Sequence, residues 1–194
     1  MPNHVTNLLT INGSEERVKE ILEYIKNDEI GVGSIDFNKI TPKPPWVWDE
    51  GPLGQETESK YGTENCWYNW NIKNWGTKWN SYGYDDKMEF GGGNTIEFLT
   101  AWSGVRDLTR KLSLIFKDVT IEYKWADEDI GQNVGHEHYQ DGECIFENIP
   151  THHSKESYDM AFEIQGSTAE DYSLVYDESE QTYVFKEDEV TLDM

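Results

Sequence analysis

Residues 74–80 read Asn-Trp-Gly-Thr-Lys-Trp-Asn: two indoles four apart, with a glycine, a threonine and a lysine between them. Indole faces attract bases, sugars and cations, and a lysine beside them can neutralise a phosphate. Trp70, Trp75, Lys78, Trp79, Trp102 and Trp125, with Trp67 nearby, are therefore the pieces of a groove for a small molecule or nucleotide. The same rings have a competing use as packing, with Lys78 laid along their edge and Gly76 permitting a close turn.

Three other groups carry ligand chemistry. Asp127, Glu128 and Asp129, with Asp141 and Glu143 further on, offer hard oxygen ligands. Their spacing does not follow the twelve-residue order of an EF-hand loop. As surface charges, the same three are a place for a partner to dock. His136 and His138 form an H-x-H pair, which on a strand puts both rings on one face. Cys144, His152 and His153 complete the zinc-type residues, but there is no C-x-x-C and no H-E-x-x-H. No metal and no cofactor is assigned. Neither cysteine sits in a catalytic context, there is no G-x-S-x-G elbow, and the glycine runs lack phosphate-loop spacing. No enzyme is expected.

The 194 residues carry a net charge of -22, unevenly placed. Residues 127–194 hold 19 Asp and Glu against Lys155 and Lys186, a net of -17. Such a chain is repelled by phosphate, so direct binding to DNA or RNA is excluded as an expectation. A basic protein partner is the complementary one. The acidic third also contains Tyr158, Phe162, Tyr172, Leu174, Tyr176, Tyr183 and Phe185, too many large apolar side chains for a solvated tail. Two cysteines do not make a disulfide framework. The opening residues have no basic stretch running into an apolar one, and no segment has the roughly 20 apolar residues of a membrane helix. The expectation is a cytoplasmic protein with no membrane partner.

The elements that must position these residues follow from periodicity. Val5, Asn7, Leu9 and Ile11 alternate as a strand. Val18, Ile21, Leu22 and Ile25 fall at helical spacing behind a Ser14 cap. Residues 34–40 read as a second strand, stopped by Thr-Pro-Lys-Pro-Pro. Residues 41–64 read as loop, 65–75 as a short helix and 77–86 as extended. Residues 95–102 alternate, 104–116 are a helix capped by Ser103, and 119–125 alternate again. Residues 126–142 read as loop and 143–148 as a further strand. From Ser154 to Gly166 a helix competes with a strand, and 172–186 read as a hairpin.

The order β-α-β, insertion, β-α-β defines an α+β class: a ferredoxin-like sandwich, one antiparallel sheet ordered 4-1-3-2 with two helices on one face. Residues 1–135 are assigned to that domain, with an aromatic-rich insertion at 41–93. Residues 136–194 form an acidic C-terminal extension packed on the same domain. On this reading the tryptophans of the insertion cover the bare sheet face.

Five ordered stretches, "MPNHVTNLLTING", "FNKITPKPP", "NWGTKWN", "IEFLTAWS" and "YKWADEDIG", resemble the YubB-like ferredoxin-fold family of plasmid, phage and integrated-element proteins. The resemblance runs from residue 1 to about 135 and more weakly to Gly166. Asn74 to Trp79 match that family's central motif; Asp127, Glu128, Asp129 and Gly131 match the motif after its last strand. It implies the fold and a mobile-element habitat, and no established activity, cofactor or catalytic residue. The function expected is a non-enzymatic accessory protein that binds a host or element protein through its acidic surface, as an inhibitor or nucleic-acid mimic. The alternative is a small-molecule or nucleotide binder using the tryptophan groove.

Overall fold

The structure, a computed structural model, describes residues 2–48, 55–84 and 90–186. The loop expected at Gly51, Pro52 and Gly54, the end of the extended stretch at Asp85 and Asp86, and the tail 187–194 lie outside them.

A five-stranded antiparallel sheet organises the chain. β1 (His4–Asn12) pairs with β2 (Thr95–Ala101) on one side and β3 (Thr120–Asp127) on the other. β4 (Gly135–Gln140) and β5 (Glu143–Asn148) extend the sheet beyond β3, giving the order β2-β1-β3-β4-β5. β1 alternates strictly, with Val5, Asn7, Leu9 and Ile11 buried. Helices α1 (Glu15–Ile25) and α5 (Arg106–Ile115) pack Val18, Ile21, Leu22, Ile25, Leu108 and Leu112 on that face, against Ile96, Phe98, Ile121 and Tyr123. This is the ferredoxin-like α+β arrangement.

The expected second strand at 34–40 does not form. Residues Phe37–Ile40 are a single helical turn, α2, capped by the Asp36 carboxylate, which accepts from the Asn38 amide at 2.9 Å. Phe37 is wholly buried against Trp75 and Phe98. Side chains of the insertion satisfy the backbone that a neighbouring strand would have paired. Asn80 Oδ1 accepts from the Phe37 amide, the Ser81 hydroxyl donates to the Ile35 carbonyl, and Tyr84 Oη accepts from the Ile35 amide. The sheet edge beyond β2 is met instead by Tyr82, which makes an isolated bridge to Leu99. The order 4-1-3-2 is thus replaced: strands 4, 1 and 3 are present and adjacent, the edge strand 2 is absent, and two strands are added at the opposite edge.

The insertion also holds α3 (Gln55–Tyr61), in a stretch read as loop, and α4 (Trp67–Trp75), close to the expected short helix. Gly76 ends α4 at φ 80°, and its N–H bonds back to the carbonyls of Asn71 and Ile72. α4 turns Trp70 and Trp75 into the same core as α1 and α5. They do not cover the other sheet face.

That face is covered by the acidic third. α6 (Lys155–Gln165) starts at Ser154, whose hydroxyl accepts from the Ser157 amide, and ends at Gly166 in the left-handed conformation. The helix reading therefore holds over the strand reading. α6 and the hairpin β6 (Leu174–Asp177)–β7 (Thr182–Phe185) bury Tyr158, Ala161, Phe162, Ile164 and Leu174 with Ala126, Ile130 and Val134. The sheet is thus sandwiched between two apolar clusters.

Two local expectations differ. Ser103 does not cap α5; its hydroxyl donates to the Gly76 carbonyl, and the residue before α5 is Val105. The Val105 amide donates to Tyr123 Oη, whose hydroxyl in turn donates to Asn7 Oδ1. Burial pushes that phenol's pKa upward, which suits its role as a neutral bridge. β4 occupies a stretch read as loop. Gly135 opens it because Trp125 lies against its backbone: a Cβ there would come within 2.4 Å of the indole.

Candidate functional site

The six residues singled out for a groove are split by the fold. Trp70 and Trp75 belong to the core, and the Trp75 indole N–H donates to the Thr41 carbonyl at 2.9 Å. Trp125 is also buried, stacked on Tyr123 with the Arg106 guanidinium over its ring. Lys78, Trp79 and Trp102 stay together at the surface. The Lys78 ammonium sits 4.5 Å from the Trp79 ring centroid and 5.1 Å from that of Trp102, so the lysine fills the space between the two indoles. Trp102 takes a positive φ of 70°, held by its N–H donating to the Asn3 carbonyl and its carbonyl accepting from Asn133 Nδ2.

Next to this group lies a shallow depression of about 400 Å³. Trp67, Trp75, Trp79, Asn38, Asn71 and Lys43 line it. Trp67 stands here as expected of a groove residue, whereas Asn71 was not among the expected binding residues. Asn71 Nδ2 donates to the Lys78 carbonyl, but its Oδ1 is buried with no hydrogen-bond partner among the described residues. A buried acceptor without a partner is uncommon. Only the helical register of α4, which points Asn71 inward beside Trp70, would have shown it.

The acidic triplet divides too. Asp127 is buried: its carboxylate accepts from Asn3 Nδ2, Asn133 Nδ2 and the Asp129 amide, tying the start of β1 to the loop after β3. Glu128 and Asp129 are exposed. Within residues 127–186 there are 15 Asp and Glu against two lysines. Lys155 is paired with Asp159. α6 turns Tyr158, Ala161, Phe162 and Ile164 into the second cluster and the hairpin adds Leu174 and Tyr183, so all of these acids except the buried Asp127 and Glu137 stand on a packed platform. Its edge is β5, every residue of which is exposed or half-exposed. Ile145 and Phe146 are 56% and 43% exposed between Glu143 and Glu147, and no strand pairs with the outer side of β5 among the described residues.

Arg106, at the start of α5, clips this hairpin to the body. It bonds the wholly buried Glu137 carboxylate and, at 2.7 Å, Glu147. Tyr139 Oη donates to the other oxygen of Glu137. The hydrogen bond to Glu137 raises the Arg106 pKa, while burial and then Glu137 raise that of Tyr139.

His136 and His138 do share a face, and the cross-strand register brings Glu122 of β3 beside them. Cys144 and His152 lie outside this cluster, and both Cys66 and Cys144 are free thiols. Among the described residues no helix is long and apolar enough to cross a membrane.

A two-core ferredoxin-like sandwich, with its second face closed by a C-terminal helix and hairpin, is the class that these elements define. The family model for the ferredoxin-like domain in Api92-like protein matches residues 75–185, more than half of the chain, and the chain belongs to that family. The match runs through α6 to β7, past the point where the resemblance read from the sequence fades. That description names a fold and no activity. No curated protein and no solved structure matches the chain.

Proposed function

We propose that this chain is a non-enzymatic accessory protein of a phage or plasmid, working in the bacterial cytoplasm, that holds a basic protein on the acidic face of its C-terminal third. One observation supports this above the others: the acids are displayed by a folded platform instead of a tail. Charges fixed in place lose little conformational freedom on binding, and a one-signed surface steers an oppositely charged partner. The contact we favour is the outer edge of β5. A basic extended segment adding there would gain main-chain hydrogen bonds, cover Ile145 and Phe146, and meet Glu143. A protein whose natural ligand is nucleic acid presents such a basic surface, so this chain would compete for it.

The test is capture from a bacterial lysate by the wild-type protein and by Glu143→Lys/Ile145→Lys, washed at about 0.05 M and about 0.5 M salt. The expected result is a basic protein retained at low salt by the wild type alone, with an affinity at least about tenfold weaker for the variant. Equal retention by both, or no salt-sensitive partner, overturns the reading.

A second reading rests on Asn71. Its orphan Oδ1 asks for a donor, and the indoles beside it suit a planar ring, so the depression fits a nucleobase or similar heterocycle. Titration with nucleotides should then quench tryptophan fluorescence, and Trp79→Ala should weaken the response by about tenfold or more. An unchanged spectrum at millimolar-range nucleotide removes this reading.

A further inference from the structure

Glu122, His136 and His138 converge on one point of the sheet face covered by α6, where β3 and β4 run side by side. In the cross-strand register Glu122 lies opposite His138, and His136 is two residues along on the same face. Nε2 of His136 lies 3.0 Å from Glu122 Oε1 and 2.9 Å from Nε2 of His138. Phe146 packs against both rings, at 5.1 Å and 4.9 Å between centroids.

Protons alone serve this arrangement badly. One ring nitrogen faces two partners and carries at most one hydrogen. If His136 Nε2–H donates to Glu122, it has no lone pair for a hydrogen from His138. If it accepts from His138 instead, its lone pair faces a carboxylate oxygen. A cation at the centre satisfies all three lone pairs together.

We propose that Glu122, His136 and His138 form a binding site for a divalent transition metal, with Zn²⁺ the best fit. Two imidazoles and one carboxylate are a three-ligand zinc set. Zinc–nitrogen bonds of about 2.0–2.1 Å place tetrahedral ligand atoms about 3.3–3.4 Å apart, so the 2.9 Å contact has to open by only about 0.4 Å. Imidazole ligands favour zinc, copper or nickel over calcium or magnesium. The fourth position is for water, supplied from an open cleft of about 500 Å³ lined by His136, Lys124, Lys155, Asp159 and Glu163. Lys124 is the built-in competitor for Glu122. Its ammonium is 3.7 Å from that carboxylate, whereas its close contact, 2.8 Å, is with Glu163. Glu122 is thus left to the histidines. This site does not depend on either functional reading above.

The experiment is a Zn²⁺ titration of the full chain after treatment with a chelator, followed by calorimetry, melting temperature and the ¹⁵N signals of the histidine rings. One equivalent should bind, raise the melting temperature and shift Nε2 of His136 and His138 together. His136→Gln and His138→Gln should each weaken binding by at least about tenfold, and His152→Gln/His153→Gln should leave it intact. Absence of binding, or equal binding by a His136→Gln/His138→Gln double variant, overturns the proposal. So does a wild-type spectrum in which those two rings do not move, which decides the matter even if a variant misfolds.

Discussion

Replacing Arg106 with alanine is expected to destabilise the fold by about 3–5 kcal/mol. The size follows from what remains behind. Glu137 has no exposed surface, and its carboxylate is held by the Arg106 guanidinium on one oxygen and the Tyr139 hydroxyl on the other. Removing the cation strands a buried negative charge, which is far costlier than losing a surface pair. The variant also loses the guanidinium over the Trp125 ring and the tether to Glu147. Arg106→Lys should recover only part of the loss, since an ammonium lacks the planar fork and stacks less well. Arg106→Met/Glu137→Leu should recover most of it, because the two groups are removed together. Urea unfolding of the four proteins measures this. A loss below about 1 kcal/mol for Arg106→Ala would mean that water reaches Glu137 and the pair is not structural.

Trp75→Ala should cost about 3–5 kcal/mol. Trp75 is 2% exposed and sits edge-on to Phe37 and Trp70, with centroids 5.8 and 5.4 Å away. Truncation opens a large cavity between α4 and the sheet and leaves the Thr41 carbonyl without its indole donor. Trp79→Ala, four residues on, should shift stability by no more than about 0.5 kcal/mol, because that ring is 37% exposed. Thermal or urea unfolding of the two variants side by side separates the core half of Asn-Trp-Gly-Thr-Lys-Trp from its surface half. Similar losses for both would contradict the split placement.

The parts legible in the sequence are those where one local signal agrees with the tertiary one. α1 has an apolar stripe, a serine cap and acids in its first turn; β1, β2 and β3 alternate; α6 lies between Ser154 and Gly166. The parts that were not legible depend on partners distant in sequence. Residues 34–40 alternate like a strand, yet Asn80, Ser81 and Tyr84 take their backbone bonds, and nothing local to 34–40 announces that. A ferredoxin-like sheet has helices on one face only, so the tryptophans of the insertion read as the cover of its second face. The chain instead uses Tyr158, Phe162 and Leu174, hidden in a stretch dominated by charge. At the histidine pair the sequence supplied two ligands and suggested Cys144, His152 and His153 as company. The third donor, Glu122, is brought from β3 by register alone.

β1 lies inside the sheet, between two later strands, and this has a consequence during synthesis. Its two neighbours are residues 95–101 and 120–127, so one edge stays unpaired until Ala101 has been made and the other until Asp127 has. At about 5–20 residues per second, the interval from Asn12 to Asp127 lasts about 6–23 seconds, with Leu8, Leu9 and Ile11 available to any other unfinished chain. Long-range pairing of this kind closes late and slowly. α6 with its hairpin, made later still, seals the remaining apolar face and carries a net charge of -6 over residues 155–186. Until it arrives, Leu8 and Ala126 on that face have no cover.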